Sequence, residues 1–153
     1  MNAPSISIRR LKAGEAARLR DLNAFFGEAF DEPEAYGAAP PTEHYLNALL
    51  GSASFVALVA EQDGEVIGGL AAYELVKFEQ ARSELYIYDL AVAEAFRRLG
   101  VATGLIEALK PIAKAMGAWV IFVQADAGDD PAIALYSKLG VREDVLHFDI
   151  AVE

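Results

Sequence analysis

Apolar and polar positions along the 153-residue chain recur with two periods, one of two residues and one between three and four. Ser5 to Arg10 alternates polar and apolar, as an edge strand does. From Lys12 to Phe30 the positions Leu19, Leu22, Phe26 and Phe30 follow one another every three or four residues, which predicts a helix. Asp31 to Pro41 is rich in proline, glycine and acids and predicts a loop. Thr42 to Leu50 predicts a short helix, with Thr42 as N-cap and Gly51 as the stop. Phe55 to Ala60 predicts a strand, Gln62 to Glu65 a turn centred on Asp63-Gly64, and Val66 to Val76 the returning strand of a hairpin. Lys77 to Arg82 is a polar connection.

Ser83 to Val92 predicts a long strand. Phe96 to Met116 predicts a long helix whose stripe is Val101, Leu105, Leu109, Ile112 and Met116, stopped by Gly117. Trp119 to Val123 is continuously apolar, as in a strand buried on both faces. Asp130 to Leu139 predicts a short helix ending at Gly140, with Asp130 as N-cap before Pro131. Leu146 to Val152 alternates as a last strand. The order β-α-α-β-β-β-α-β-α-β implies a mixed sheet covered by helices. With no repeat and no linker, residues 1–153 read as a single domain.

Composition narrows the classes. Apolar residues make up 54% of the chain, far from a disordered composition. There is no cysteine, which removes disulfides, thiolate metal sites and a cysteine nucleophile. The start Met1-Asn2-Ala3-Pro4-Ser5 lacks a charged region followed by an apolar run, so no signal peptide is predicted. The apolar runs fall far short of the roughly 20 residues of a membrane span. The cytoplasm is the expected compartment, and no membrane partner is expected. A net charge of −10 argues against a nucleic-acid partner. It fits a cationic partner, and also plain solubility.

The segment carrying most chemistry is Leu90-Ala91-Val92-Ala93-Glu94-Ala95-Phe96-Arg97-Arg98-Leu99-Gly100-Val101-Ala102-Thr103. A strand runs into a turn that opens a long helix. Free N–H groups and the positive end of the helix dipole then point at one spot, a geometry that binds phosphate. Arg97 and Arg98 add charge there, although for helix stability alone they would oppose the dipole. Neither a P-loop nor the three-glycine dinucleotide fingerprint is present.

Arg97-Arg98-Leu99-Gly100-Val101-Ala102 resembles the (Arg/Gln)-x-x-Gly-x-(Gly/Ala) signature of the GNAT acetyltransferases. Ala132-Ile133-Ala134-Leu135-Tyr136-Ser137-Lys138-Leu139-Gly140 is similar to that superfamily's second signature helix, Ala-x-x-Leu-Tyr-x-Lys-x-Gly. The resemblance covers nearly the whole chain. It implies an α/β fold with a mixed, mostly antiparallel sheet, helices on both faces and splayed strands holding acetyl-CoA, with no metal. The pyrophosphate would lie on the turn from Arg97 through Arg98, Leu99, Gly100, Val101 and Ala102 to Thr103. The pantetheine arm would pair with Leu90, Ala91 and Val92 like an added strand. The chain departs from the family at Asp129, where asparagine is common.

Direct acetyl transfer to an amine needs a neutral nucleophile, a polarised thioester and a proton for the leaving thiolate. Tyr136 matches the family tyrosine that gives that proton; otherwise it is a packed core residue. Asp89, inside an apolar strand, is a base or a brace. Glu84 near the strand start is a second base, acting through a water.

Acids cluster in loops, Glu28 to Glu34, Asp126 to Asp130 and Glu143 to Asp149, as solvated loops or as a site for a polyamine or aminosugar. Leu70 to Glu84, Tyr86 to Val92, Val123 to Asp126, Gly128 to Pro131 and His147 to Ile150 resemble the aminoglycoside 3-N-acetyltransferases of the gentamicin-resistance type. That implies the 3-amino group of deoxystreptamine as acceptor, with Tyr86, Asp89, Asp126, Asp129 and Asp130 on the acceptor side. Two other readings stay open. One is a GNAT enzyme for another small amine. The other is a non-catalytic acyl-CoA-binding module, which would bind without transfer. Pairing through C-terminal strands is frequent among GNAT proteins, and the alternation of Phe148, Ile150 and Val152 implies a homodimer.

Overall fold

Alternation and turn chemistry build the centre of the fold. In the computed structural model, which describes residues 5–153, the strands β1 (Ser7–Arg10), β2 (Phe55–Gln62), β3 (Glu65–Val76), β4 (Ser83–Val92) and β5 (Ala118–Val123) form one sheet in chain order. Met1 to Pro4, on which the signal-peptide reading rests, lie outside the described residues. The first four strands pair antiparallel, and β4 pairs with β5 in parallel. The β2–β3 hairpin closes through Asp63 (φ 51°) and Gly64 (φ 80°). Two positive φ values in a two-residue loop match the right-handed twist of the flanking strands.

The helices are α1 (Ala16–Ala29), α2 (Pro33–Gly37), α3 (Glu43–Leu50), α4 (Val101–Met116) and α5 (Asp130–Leu139). The sheet faces separate by parity. Val56, Leu58, Leu70, Leu85 and Ile87 meet Leu105 and Leu109 of α4. Phe55, Ala57, Val59 and Ala71 meet Leu19, Leu22 and Phe26 of α1 and Leu46 and Leu50 of α3. Thr42 caps α3, its side-chain oxygen accepting from the Tyr45 N–H at 3.1 Å. α1 lies so close to the sheet that a Cβ on Gly69 would stand 2.5 Å from Leu22 Cδ1 and 2.7 Å from the Leu58 carbonyl oxygen.

Several expectations from sequence are corrected. The loop predicted over residues 31–41 contains α2, started by Pro33 at its N-terminus, where a missing N–H is harmless. The helix predicted from Phe96 begins at Val101. A single 3-10 turn, Glu94–Phe96, precedes it, and Arg98 (φ 65°) and Gly100 (φ 79°) are left-handed, which breaks helical continuity. Asp129, not Asp130, caps α5, accepting from the Ala132 N–H at 3.4 Å. β5 is not buried on both faces: it is the last strand of the sheet, α1 and α3 sit over β2–β4, and Trp119 is 54% exposed.

The strand predicted over Leu146 to Val152 is not part of the sheet. Gly140 is extended (φ −148°, ψ −172°), and the residues after it form neither helix nor strand. Residues 141–153 form an arm on which Phe148 is 77% and Ile150 87% exposed.

Candidate active site

A bulge in β4 sets the site. Ala72 pairs with Ile87 and Ala71 with Asp89, so Tyr88 is the extra residue. Before the bulge, Leu85 and Ile87 face the α4 core. After it, Leu90 and Val92 face that core and Ala91 faces α1. Tyr88 and Asp89 therefore both leave the sheet on the α1 side, where strict alternation admits one.

Pairing of β4 with β5 stops at Ile87 and Val123. β4 runs on to Val92 while the other chain turns off, so the strands splay. On that side the backbone of Leu90 to Val92 has no strand partner among the described residues. The splay leads to the N-terminus of α4. Gly100 occupies the N-cap position with no side-chain cap, no acid stands in the first turn, and a Cβ on Gly100 would meet open space. Unpaired N–H groups from Val101 to Thr103, with exposed Arg97 and Arg98 alongside, suit a diphosphate. The Arg97 Nε–H reaches back to the Val92 carbonyl at 3.4 Å.

Tyr136 on α5 packs against the α4 core near Ile87 and Val123, at the mouth of the splay. Burial, with a smaller effect of Asp129, pushes its phenol up to about 12. The hydroxyl therefore stays protonated at neutral pH.

On the other side of the sheet, aromatic rings form a wall. Tyr86 stacks on Phe122 (centroids 4.5 Å apart, interplanar angle 11°) and lies 5.4 Å from Tyr88. Tyr88 meets Tyr73 edge-on at 6.0 Å, and Tyr73 meets Phe55 at 5.3 Å. The Tyr86 hydroxyl donates to Gln124 Oε1 at 2.9 Å. Asp89 closes this wall. It is half-buried, and burial raises its pKa against the lowering effect of a hydrogen bond from Tyr36. That bond runs from the Tyr36 hydroxyl to Asp89 Oδ1 at 2.6 Å. No lysine or arginine among the described residues pairs with Asp89.

The structure thus brings Asp89, Tyr86 and the splay of β4 together, with Tyr136 on the far side of the sheet layer. Asp129 lies near Tyr136 but is spent on capping α5. Asp126 and Asp130 are exposed in the loop entering α5. Glu84 is not brought to Asp89: five residues along an extended strand separate them, roughly 15 Å. Its carboxylate accepts from Trp119 Nε1 at 3.1 Å. Sequence reasoning missed Tyr36, Tyr73, Tyr88, Phe122 and Gln124. Neither alternation nor motif set these five apart from packed residues of their elements.

Residues 19–141 match the model of the acetyltransferase (GNAT) family. The chain belongs to this family. GNAT acetyltransferases use acetyl-CoA, and the open α4 N-terminus and splayed strands fit its diphosphate and amide-bearing arm. Among solved structures the chain is similar to an aminoglycoside acetyltransferase from an uncultured soil metagenomic sample. The two are 58% identical with a TM-score of 0.94, over 97% of this chain and 99% of that one. A second soil-metagenome aminoglycoside acetyltransferase, crystallised with sisomicin, is 29% identical with a TM-score of 0.88, over 97% of each chain. An N-alpha-acetyltransferase of Sulfurisphaera tokodaii is 34% identical over 96 residues, 56% of this chain and 55% of that protein. The chain spans about half the length of that curated relative.

Proposed function

We propose that this acetyltransferase moves the acetyl group of acetyl-CoA directly to the 3-amino group of deoxystreptamine aminoglycosides such as gentamicin, giving resistance to them in the cytoplasm. The observation that carries this reading is Asp89: a half-buried carboxylate with no cationic partner among the described residues, beside an aromatic wall, where β4 leaves β5. A buried charge of that kind wants a cation, and a polycationic aminosugar supplies one. The net charge of −10 draws such an acceptor in. Similarity to two aminoglycoside acetyltransferases, one crystallised with sisomicin, supports the substrate class.

In this reading acetyl-CoA supplies the activated acetyl group. N–H groups from Arg98 to Thr103 hold its diphosphate, and Leu90, Ala91 and Val92 pair with its arm. Asp89 takes the proton that the acceptor ammonium must lose before it attacks. As the nitrogen bonds to the acetyl carbon and the C–S bond breaks, the Tyr136 hydroxyl gives a proton to the leaving sulfur, and the second proton that the nitrogen sheds in becoming an amide restores the phenol. Glu84, bound to Trp119 at the far end of β4, takes no part. The rings of Tyr86 and Tyr88 pack on the aminosugar. Asp126 and Asp130 add negative field at the entrance, and Asp129 holds α5 and thereby Tyr136.

The same reading makes the protein a homodimer. The arm 141–153 carries Leu146, Phe148, Ile150 and Val152 at alternate positions, all exposed. The outer edge of β5 has no partner among the described residues. Beside it lies an apolar groove of about 330 Å³ between α4, β5 and α5, lined by Ile106, Ala113, Ile121 and Leu139. Lys110 and Lys114 flank the groove, and the arm carries Glu143, Asp144, Asp149 and Glu153. An unpaired edge and an exposed apolar strand pattern in one chain are complementary surfaces for a second copy.

The test is expression in cells susceptible to gentamicin, together with NMR of the enzymatic product. Protection, and acetylation on the 3-amino nitrogen, are expected. Unprotected cells, or acetylation on another nitrogen only, would contradict the reading.

A further inference from the structure

α2 was not predicted by the sequence, and it delivers one group to the site. Tyr36 is fixed from four directions. Its carbonyl accepts from Asn23 Nδ2 at 2.9 Å. Its ring lies 5.9 Å from that of Phe30 and 6.3 Å from that of Phe26. Its Cβ fills the space left by Gly27, where an added Cβ would stand 3.1 Å away. Its hydroxyl donates to Asp89 Oδ1 at 2.6 Å, from a residue 53 positions distant. Burial and the neighbouring Asp89 carboxylate raise the Tyr36 pKa, so the group is a permanent donor.

This matters because Asp89 has two oxygens. Tyr36 occupies one. No other protein group among the described residues hydrogen-bonds the carboxylate, so Oδ2 is free for an acceptor amine. The groups facing Asp89 are Glu32 and Tyr36 from the α2 segment, Tyr73 from β3, and Tyr86 and Tyr88 from its own strand. They are acids and phenols, and among them only the Tyr36 hydrogen bond favours the ionised carboxylate. A short charge-assisted O–H···O⁻ bond is worth about twice a neutral one and fixes the orientation of its acceptor.

We propose that Tyr36 is a positioning residue for acetyl transfer: through its hydroxyl, α2 holds one oxygen of Asp89 and leaves the other to meet the acceptor amine. The proposal rests on Asp89 serving the acceptor side. The hydroxyl touches neither acceptor nor acetyl-CoA in this role. It acts by keeping Asp89 in one rotamer and ionised.

The test compares Tyr36→Phe, Asp89→Asn and the double variant in steady-state kinetics with gentamicin across pH, alongside thermal melting and acetyl-CoA binding. Tyr36→Phe should lower kcat/KM about tenfold near neutral pH, the loss of one charge-assisted hydrogen bond. Removing the donor takes away an effect that lowers the Asp89 pKa, so that pKa rises. Activity needs the ionised form, so the acidic limb of the profile should move to higher pH. Acetyl-CoA affinity should be unchanged. With Asp89 already replaced, Tyr36→Phe should add nothing, because the partner is gone. Asn23→Ala, which frees the Tyr36 backbone and leaves the ring intact, should shift the same limb in the same direction by less. If Asp89→Asn is impaired while the Tyr36→Phe profile overlays that of the unaltered protein, Tyr36 has no positioning role. If Asp89→Asn turns over at full rate, the underlying reading of Asp89 falls and Tyr36 falls with it. A Tyr36→Phe defect that multiplies with that of Asp89→Asn would mark a structural role and overturn the proposal.

Discussion

Two phenols at the site do different work because their surroundings differ. Tyr36 donates to a carboxylate and is locked as a donor. Tyr136 has no such partner among the described residues; burial, more than the nearby Asp129, raises its pKa to about 12. An acid of that strength keeps its proton at neutral pH, and since a thiol is the stronger acid, at about 8.5, the hydroxyl helps departure first as a hydrogen-bond donor to the developing thiolate. Tyr136→Phe should therefore cut kcat by roughly a hundredfold, the lower range for a general acid. Acetyl-CoA binding should be near the unaltered value, because the diphosphate cradle lies at the other end of the splay. Calorimetric titration of the cofactor beside turnover checks both halves. A variant with normal kcat would remove Tyr136 from the chemistry and return it to the core.

Elements explain which residues could be read in advance. The hairpin around Asp63-Gly64, the Thr42 cap and the full extent of β4 follow from local chemistry, and the structure places them as the pattern does. The strand-to-helix turn was legible for the same reason, since Arg97 to Ala102 is contiguous in sequence, although its helix starts later than the pattern predicts. The aromatic wall was not. It depends on the Tyr88 bulge, and an apolar run such as Leu85 to Val92 carries no mark of where an extra residue sits. It depends also on α2, whose proline, glycine and acids have the composition of a loop. The α1–sheet contact makes a prediction at this scale. Gly69→Ala would push a methyl into Leu22 and into the Leu58 carbonyl, of which only the leucine can yield. Such overpacking should destabilise the fold by about 2 kcal/mol. Chemical denaturation measures it, and unchanged stability would show that α1 can move off the sheet.

The whole molecule divides its charge and its apolar surface. A chain of net −10 leaves the Asp89 carboxylate at the aromatic wall without a lysine or arginine partner among the described residues, and sets two exposed arginines beside the open N-terminus of α4. The apolar surface left over is the arm. Its alternation predicts a strand, and the structure has none there, because such a pattern specifies pairing only when a partner edge is in reach. If a second copy supplies that edge, Phe148→Asp with Ile150→Asp should turn a dimer into a monomer in light scattering at micromolar concentration, with the monomer still binding acetyl-CoA. A protein that is monomeric before the change would rule out arm exchange.

Acetyl transfer to an aminoglycoside releases one free thiol per turnover. The most direct measurement is thiol release by the purified protein from acetyl-CoA with gentamicin, set beside kanamycin, spermidine, a short peptide with a free α-amine, and no acceptor. Fast release is expected with gentamicin, and release near the blank with spermidine and the peptide. Release with gentamicin no faster than the blank would contradict it, and turnover confined to the peptide would move the acceptor to a protein N-terminus.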